Sequence, residues 1–151
     1  DRSRKIARFK SGKYTIERPL HFGAAISGDS SLQNPYSNYG IPLGEAFQLR
    51  DDILGVFGES KVTGKPTGDD LLEGKRTVLI AKTFELAGAQ GALTLTQVLG
   101  NRGASVEMIE KCKVLIRDCG ALTHVEKLID DYLINGNITQ IRNSTIYRTM
   151  I

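Results

Sequence analysis

At 151 residues the chain has room for one domain with a core of its own, and its net charge of +3, spread among acidic neighbours, argues against nucleic acid as a partner. Two cysteines, Cys112 and Cys119, are too few for a disulfide framework and lack the spacing of a zinc site. No apolar run approaches the ~18 residues of a membrane span, and the opening Asp1-Arg2-Ser3-Arg4-Lys5 lacks an apolar leader core. The expectation is a cytoplasmic protein without stable membrane insertion, and the missing first methionine predicts the later part of a longer polypeptide.

Helical periodicity runs from end to end, and the alternation of half-buried strands is missing, so the chain reads as all-α. Helices are expected from Arg2 to Phe9 and from Thr15 to Ser27, with Lys10-Ser11-Gly12 placing a base, a hydroxyl and a glycine where the first should end. A long helix is expected from Gln33 to Phe57. Pro35 suits its first turn, whereas Pro42 predicts a kink or a later start, because an interior proline removes a hydrogen bond and crowds the preceding turn. Further helices are expected from Leu71 to Gly88, Leu93 to Leu99, Ser105 to Cys119 and Leu122 to Asn135, with a final one from Thr139 to Arg148. Gly28, Gly100, Gly103, Gly120 and Gly136 read as helix ends. With no repeat or linker, residues 1–151 read as part of one domain.

On the long helix, an advance of about 100° per residue puts Gln48, Asp51 and Asp52 on one side and Leu43, Ala46, Phe47, Ile53, Leu54 and Phe57 on the other. Gly44 and Gly55 fall on the polar side and keep it low enough for an anion to approach. Adjacent carboxylates repel each other, and a cation would relieve that repulsion. Magnesium takes hard oxygen ligands, one or two of them protein carboxylates and the rest water or phosphate. Taken alone, an Asp-Asp pair is more often a solvated helix face.

The residues that follow change that balance. Gly64-Lys65-Pro66-Thr67-Gly68-Asp69-Asp70 and Glu73-Gly74-Lys75-Arg76-Thr77 set lysines beside glycines, which suits close approach to phosphate. The glycine spacing is one residue too long for a Walker A loop, and no strand precedes it. Asp69 and Asp70 read equally as the first turn of a helix or as support for a metal. Cys112 and Cys119, seven apart beside Val114, Leu115 and Ile116, read as packing residues.

Taken in order, Phe47-Gln48-Leu49-Arg50-Asp51-Asp52, then Gly64-Lys65, then Gly74-Lys75, resembles the second aspartate-rich region of the trans-isoprenyl diphosphate synthases, with Lys10-Ser11-Gly12 similar to their upstream Lys-Thr/Ser-Gly element. The resemblance covers Lys10 to about Gly88. It implies an all-α antiparallel helical bundle around a central cleft, a homodimer, and condensation of isopentenyl diphosphate with an allylic diphosphate. It further implies Mg2+ held by Asp51 with support from Asp52. Lys10, Ser11, Gln48, Lys65 and Lys75 would hold the allylic diphosphate and its metals, with Lys10, Lys65 and Lys75 as the catalytic cations and Phe47 beside the substrates.

The chain departs from that pattern twice. The family's second motif often carries an aspartate four residues after its first, where this chain has Gly55, and the first Asp-Asp-x-x-Asp motif with its arginines occurs nowhere in the 151 residues. Two other readings stay open: a non-catalytic subunit or scaffold of the same fold, and a terpene cyclase of the same helical class.

Overall fold

The computed structural model of the protein describes residues 2–59, 64 and 67–136; the expected helix from Thr139 to Arg148, and Lys65, lie outside the described residues. Among the described residues every regular element is helical. In chain order these are α1 (Arg2–Ala7), a π-helical stretch (Arg8–Glu17), α2 (Arg18–Ser27), a 3-10 turn (Ser30–Leu32), α3 (Gln33–Phe57), α4 (Asp69–Leu72), α5 (Val78–Leu86), α6 (Gly88–Val98), α7 (Val106–Asp118) and α8 (Ala121–Asn135). No helix of the described residues is long and apolar enough to cross a membrane.

The packing divides into two units, Asp1–Gln48 with Lys127–Ile151, and Leu49–Glu126. The second has the denser apolar core. Leu49, Val56, Leu71, Leu79, Ile80, Leu95, Val98, Ile116 and Val125 are all fully buried, with α5, α6 and α7 packed on one another. Side-chain caps fix two of these helices, Thr77 Oγ1 accepting from the Ile80 amide and Ser105 Oγ from that of Met108, both at 3.3 Å. Cys112 is buried there as the periodicity implied, its thiol directed at the Thr94 carbonyl and its pKa raised by burial.

The first unit relies more on polar contacts and on small residues. Arg4 Nη2 donates to the Tyr132 hydroxyl at 2.8 Å, and that hydroxyl donates to Glu45 Oε1 at 3.3 Å. Arg8 lies 3.5 Å from the other oxygen of Glu45. Glu17, also buried, accepts from Ser37 Oγ at 2.7 Å. Charge taken out of water requires such partners.

Three local expectations need correction. The chain does not leave the helix at Lys10-Ser11-Gly12: it widens into the π-helical stretch, so that the Arg18 amide donates to the Lys13 carbonyl five residues back, and Thr15 Oγ1 bonds the Lys10 carbonyl at 2.9 Å. The helix expected from Leu71 to Gly88 is broken by a turn at Gly74, where φ is +71°, and restarts at the Thr77 cap. The helix expected to begin at Leu93 begins at Gly88. The 25-residue helix Gln33–Phe57 agrees with the reading at both ends and continues through Pro42.

Candidate functional site

In the first unit the Lys10-Ser11-Gly12 element is seated directly on α3. A Cβ built at Gly44 would come 2.5 Å from both Gly12 Cα and the Ser11 carbonyl oxygen, and one built at Gly12 would meet the Ile41 carbonyl oxygen at 3.0 Å. Two stretches of bare backbone therefore touch, an approach that any side chain would prevent. Gly44 thus serves helix packing, whereas the sequence had suggested a low surface for an anion. One turn on, buried Ser11 donates from Oγ to Gln48 Oε1 at 2.6 Å, which fixes both side chains. Lys10 itself is exposed, and Lys13 lies 5.4 Å from the centre of the Phe9 ring.

Along α3 the buried positions are Gly40, Gly44, Glu45, Ala46, Leu49, Asp52, Ile53 and Val56. This stripe separates the two aspartates. Asp51 is exposed, whereas Asp52 is only 6% exposed, and Phe47, placed by the sequence on the packed side, is 47% exposed. Consecutive residues stand about 100° apart, so an adjacent pair can straddle the edge of a buried face.

In the second unit the second lysine element is ordered by acids. Gly68 and Gly74, both with positive φ, bracket the single turn of α4. Lys75 is tied back to Asp70 twice: its amide donates to the Asp70 carbonyl at 3.0 Å, and its Nζ to Asp70 Oδ1 at 2.5 Å. Glu73 Oε2 lies 3.0 Å from the same ammonium. The hydrogen bond to Asp70 holds the Lys75 pKa well above the usual lysine range, with burial opposing and Glu73 adding to the effect. The ammonium is charged at any physiological pH.

Asp70 is buried, and its carboxylate rests on α3 at Gly55, where an added Cβ would fall inside the carboxylate group. Asp70 lies in the first turn of α4, one of the two readings made from sequence, with Gly68 as the N-cap and no side chain capping that end; its bridge from Gly55 to Lys75 is a further role. Nothing in the sequence marks it, because Gly55 and Asp70 are 15 positions apart on different elements and Asp70 and Lys75 are not at a helical spacing.

For a divalent cation the donors differ in kind. Asp69, Asp70 and Glu73 bring carboxylate oxygens within 4.8 Å of one another, but the Lys75 ammonium already sits on two of them. Asp51 is an exposed carboxylate with the hard oxygen that magnesium accepts beside water and phosphate. That donor fits the metal that the sequence implied.

The sequence pattern of the polyprenyl synthetase family matches residues 1–116. The chain belongs to this family. Among its relatives, the geranylfarnesyl diphosphate synthase of Aeropyrum pernix is 37% identical over 122 residues, covering 80% of this chain and 37% of that protein. The geranylgeranyl diphosphate synthase of Sulfolobus acidocaldarius is 36% identical over 136 residues, 89% of this chain and 39% of that one. The chain thus spans well under half the length of these curated relatives.

The fold is that of solved prenyl synthases. A crystal structure of geranylgeranyl pyrophosphate synthase from Corynebacterium glutamicum, complexed with isoprenyl diphosphate and magnesium, superposes with a TM-score of 0.83 at 43% identity, covering 89% of this chain and 38% of that one. The polyprenyl synthetase from Streptomyces coelicolor A3(2), at 22% identity and a TM-score of 0.72 over 98% of this chain and 47% of its own, shares the fold.

Proposed function

We propose that this polyprenyl synthetase chain is part of a prenyltransferase that condenses isopentenyl diphosphate with an allylic diphosphate into a longer linear isoprenoid diphosphate. The observation that carries the reading is the ordered set of Lys10, Ser11, Gln48, Asp51, Lys65 and Lys75, in a chain 43% identical to a synthase solved with isoprenyl diphosphate and magnesium. The hydrogen bond between Ser11 and Gln48 and the ion pairs at Lys75 support it, because they hold polar groups that an inert surface would leave loose.

Departure of the allylic diphosphate builds negative charge on the leaving oxygens, and fixed cations lower the energy of that state more than that of the bound substrate. Lys10, Lys65 and Lys75 are assigned to that charge, with Ser11 and Gln48 orienting the diphosphate and Phe47 lying beside the hydrocarbon. Asp51 would hold magnesium, with Asp52 behind it; when bound, the metal neutralises part of the same charge. A homodimer in the cytoplasm completes the proposal.

The test is incubation of the full gene product with isopentenyl and allylic diphosphates, with and without magnesium, followed by product analysis. Longer linear diphosphates that require magnesium are expected. Cyclised hydrocarbons would identify a cyclase instead, and no turnover under any condition would leave the scaffold reading.

A further inference from the structure

One carboxylate in the second unit occupies a space that the neighbouring helix leaves empty. Gly55 stands one turn beyond Asp51 on α3 and carries no side chain. Into that space comes the carboxylate of Asp70, from α4, with Oδ1 only 2.8 Å from where a Gly55 Cβ would lie. Asp70 is buried, and its other contacts run to Lys75, through both the backbone carbonyl and Oδ1. The bare helix therefore fixes the carboxylate, and the carboxylate fixes the lysine.

We propose that Asp70 is the positioning residue of Lys75, and that glycine at position 55 is what allows it to take that place. An ammonium has three donors in a fixed tetrahedral arrangement. With Asp70 and Glu73 taking two, the remaining donor has a set direction, and a ligand oxygen meets it without the cost of ordering a long flexible side chain. The two acids also weaken the net attraction of this spot for anions in general. A lysine held this way selects an anion by where its oxygen lies, and much less by charge. The proposal rests on the reading of Lys75 as a diphosphate-binding group.

That arrangement gives an experiment with opposite signs for the two explanations. Asp70→Asn keeps the volume against Gly55 but releases the ammonium and removes a negative charge. If Lys75 acts by charge alone, the variant binds diphosphate more tightly. If position governs, binding of inorganic diphosphate to the full gene product, followed by calorimetry, weakens by roughly tenfold or more, by analogy with the loss seen when the residue that orients a metal-binding side chain is removed. Gly55→Ala changes no charge and displaces the same carboxylate, so it shifts binding in the same direction. The double variant is then no worse than Asp70→Asn, because both changes act through one contact.

Kinetics add a second readout, a rise in KM for the allylic diphosphate in both single variants. Unchanged or tighter binding in Asp70→Asn overturns the proposal, as does full additivity with Gly55→Ala. Lys75→Ala separates the layers: if it leaves diphosphate binding unaltered, the assignment of Lys75 fails, whereas weakened binding there with none in Asp70→Asn or Gly55→Ala defeats the positioning role only.

Discussion

Glycines on α3 meet the rest of their units in two different ways. At Gly44 the obstacle is backbone, the Gly12 Cα and the Ser11 carbonyl, so nothing there can rotate aside. At Gly55 the obstacle is the end of a side chain, Asp70, which can swing at the expense of its bond to Lys75. The first contact therefore belongs to the fold, and the second to the lysine proposed to bind diphosphate. The same residue type, 11 positions apart on one helix, predicts loss of stability at one place and loss of binding at the other.

The sharpest test of that contrast is Gly44→Val. Forcing a branched side chain between two backbones should cost on the order of 3 kcal/mol, the upper range for overpacking a close contact. Urea unfolding would register it as a lower midpoint, and a loss below 1 kcal/mol would mean that the helices can separate freely. Gly55→Ala should cost less, about 1 kcal/mol, since only a side chain gives way. Thermal melting would find it nearer the parent than Gly44→Val, and the reverse order would break the comparison.

Ser11→Ala keeps the glycine contact and removes only the hydrogen bond to Gln48. A net loss of about 1 kcal/mol is expected by denaturant titration. On the proposed assignment of Gln48 to the diphosphate, the effect on the KM of the allylic substrate should exceed what that loss of stability implies, because Gln48 is released.

A smaller effect concerns pH. Burial raises the Glu45 pKa, against the pull of Arg8, Tyr132 and Arg4, so the folded state binds this proton more tightly than the unfolded chain. Its contribution is full below the unfolded value near 4.5 and is lost as pH rises through the higher folded one. Compared with Glu45→Gln, which cannot titrate, the parent should gain stability as pH falls from 7 toward 4.5. Unfolding curves of both proteins at the two ends check the sign. Least of all, Lys111→Ala should leave the melting temperature unchanged within error, since the Glu107–Lys111 pair is exposed on both sides.

How much of this was legible in the sequence depended on whether the cause was local. The bounds of α3 follow from apolar periodicity and a proline in the first turn, and the structure returns them unchanged. The family was equally legible, because the ordered set of Lys10, Ser11, Gln48, Asp51, Lys65 and Lys75 is a matter of residue order, and the family match over residues 1–116 bears that resemblance out. The widened helix at Lys10-Ser11-Gly12 was not, since a glycine after two polar residues has the local signature of a helix end, and only its seat at Gly44 explains why the helix continues. Asp52 was placed on the polar side by spacing alone, whereas which edge of a helix is covered is decided by its neighbours. The bonds among Arg4, Glu45 and Tyr132 join positions up to 128 apart and left no trace in any local pattern.

The π-helical stretch between α1 and α2 has a further consequence. At its end the Arg18 amide reaches five residues back to the Lys13 carbonyl, one further than in an ordinary helix, so the length of the stretch sets the angular phase of the residues before it. Removing a single residue from it would let the coil tighten and would turn Arg4 by roughly a quarter of a revolution, away from the Tyr132 hydroxyl. Point substitutions test what a side chain does here, but the natural perturbation of this segment is a change of count, and its tolerance to one-residue deletions or insertions should be far lower than its exposed polar surface suggests.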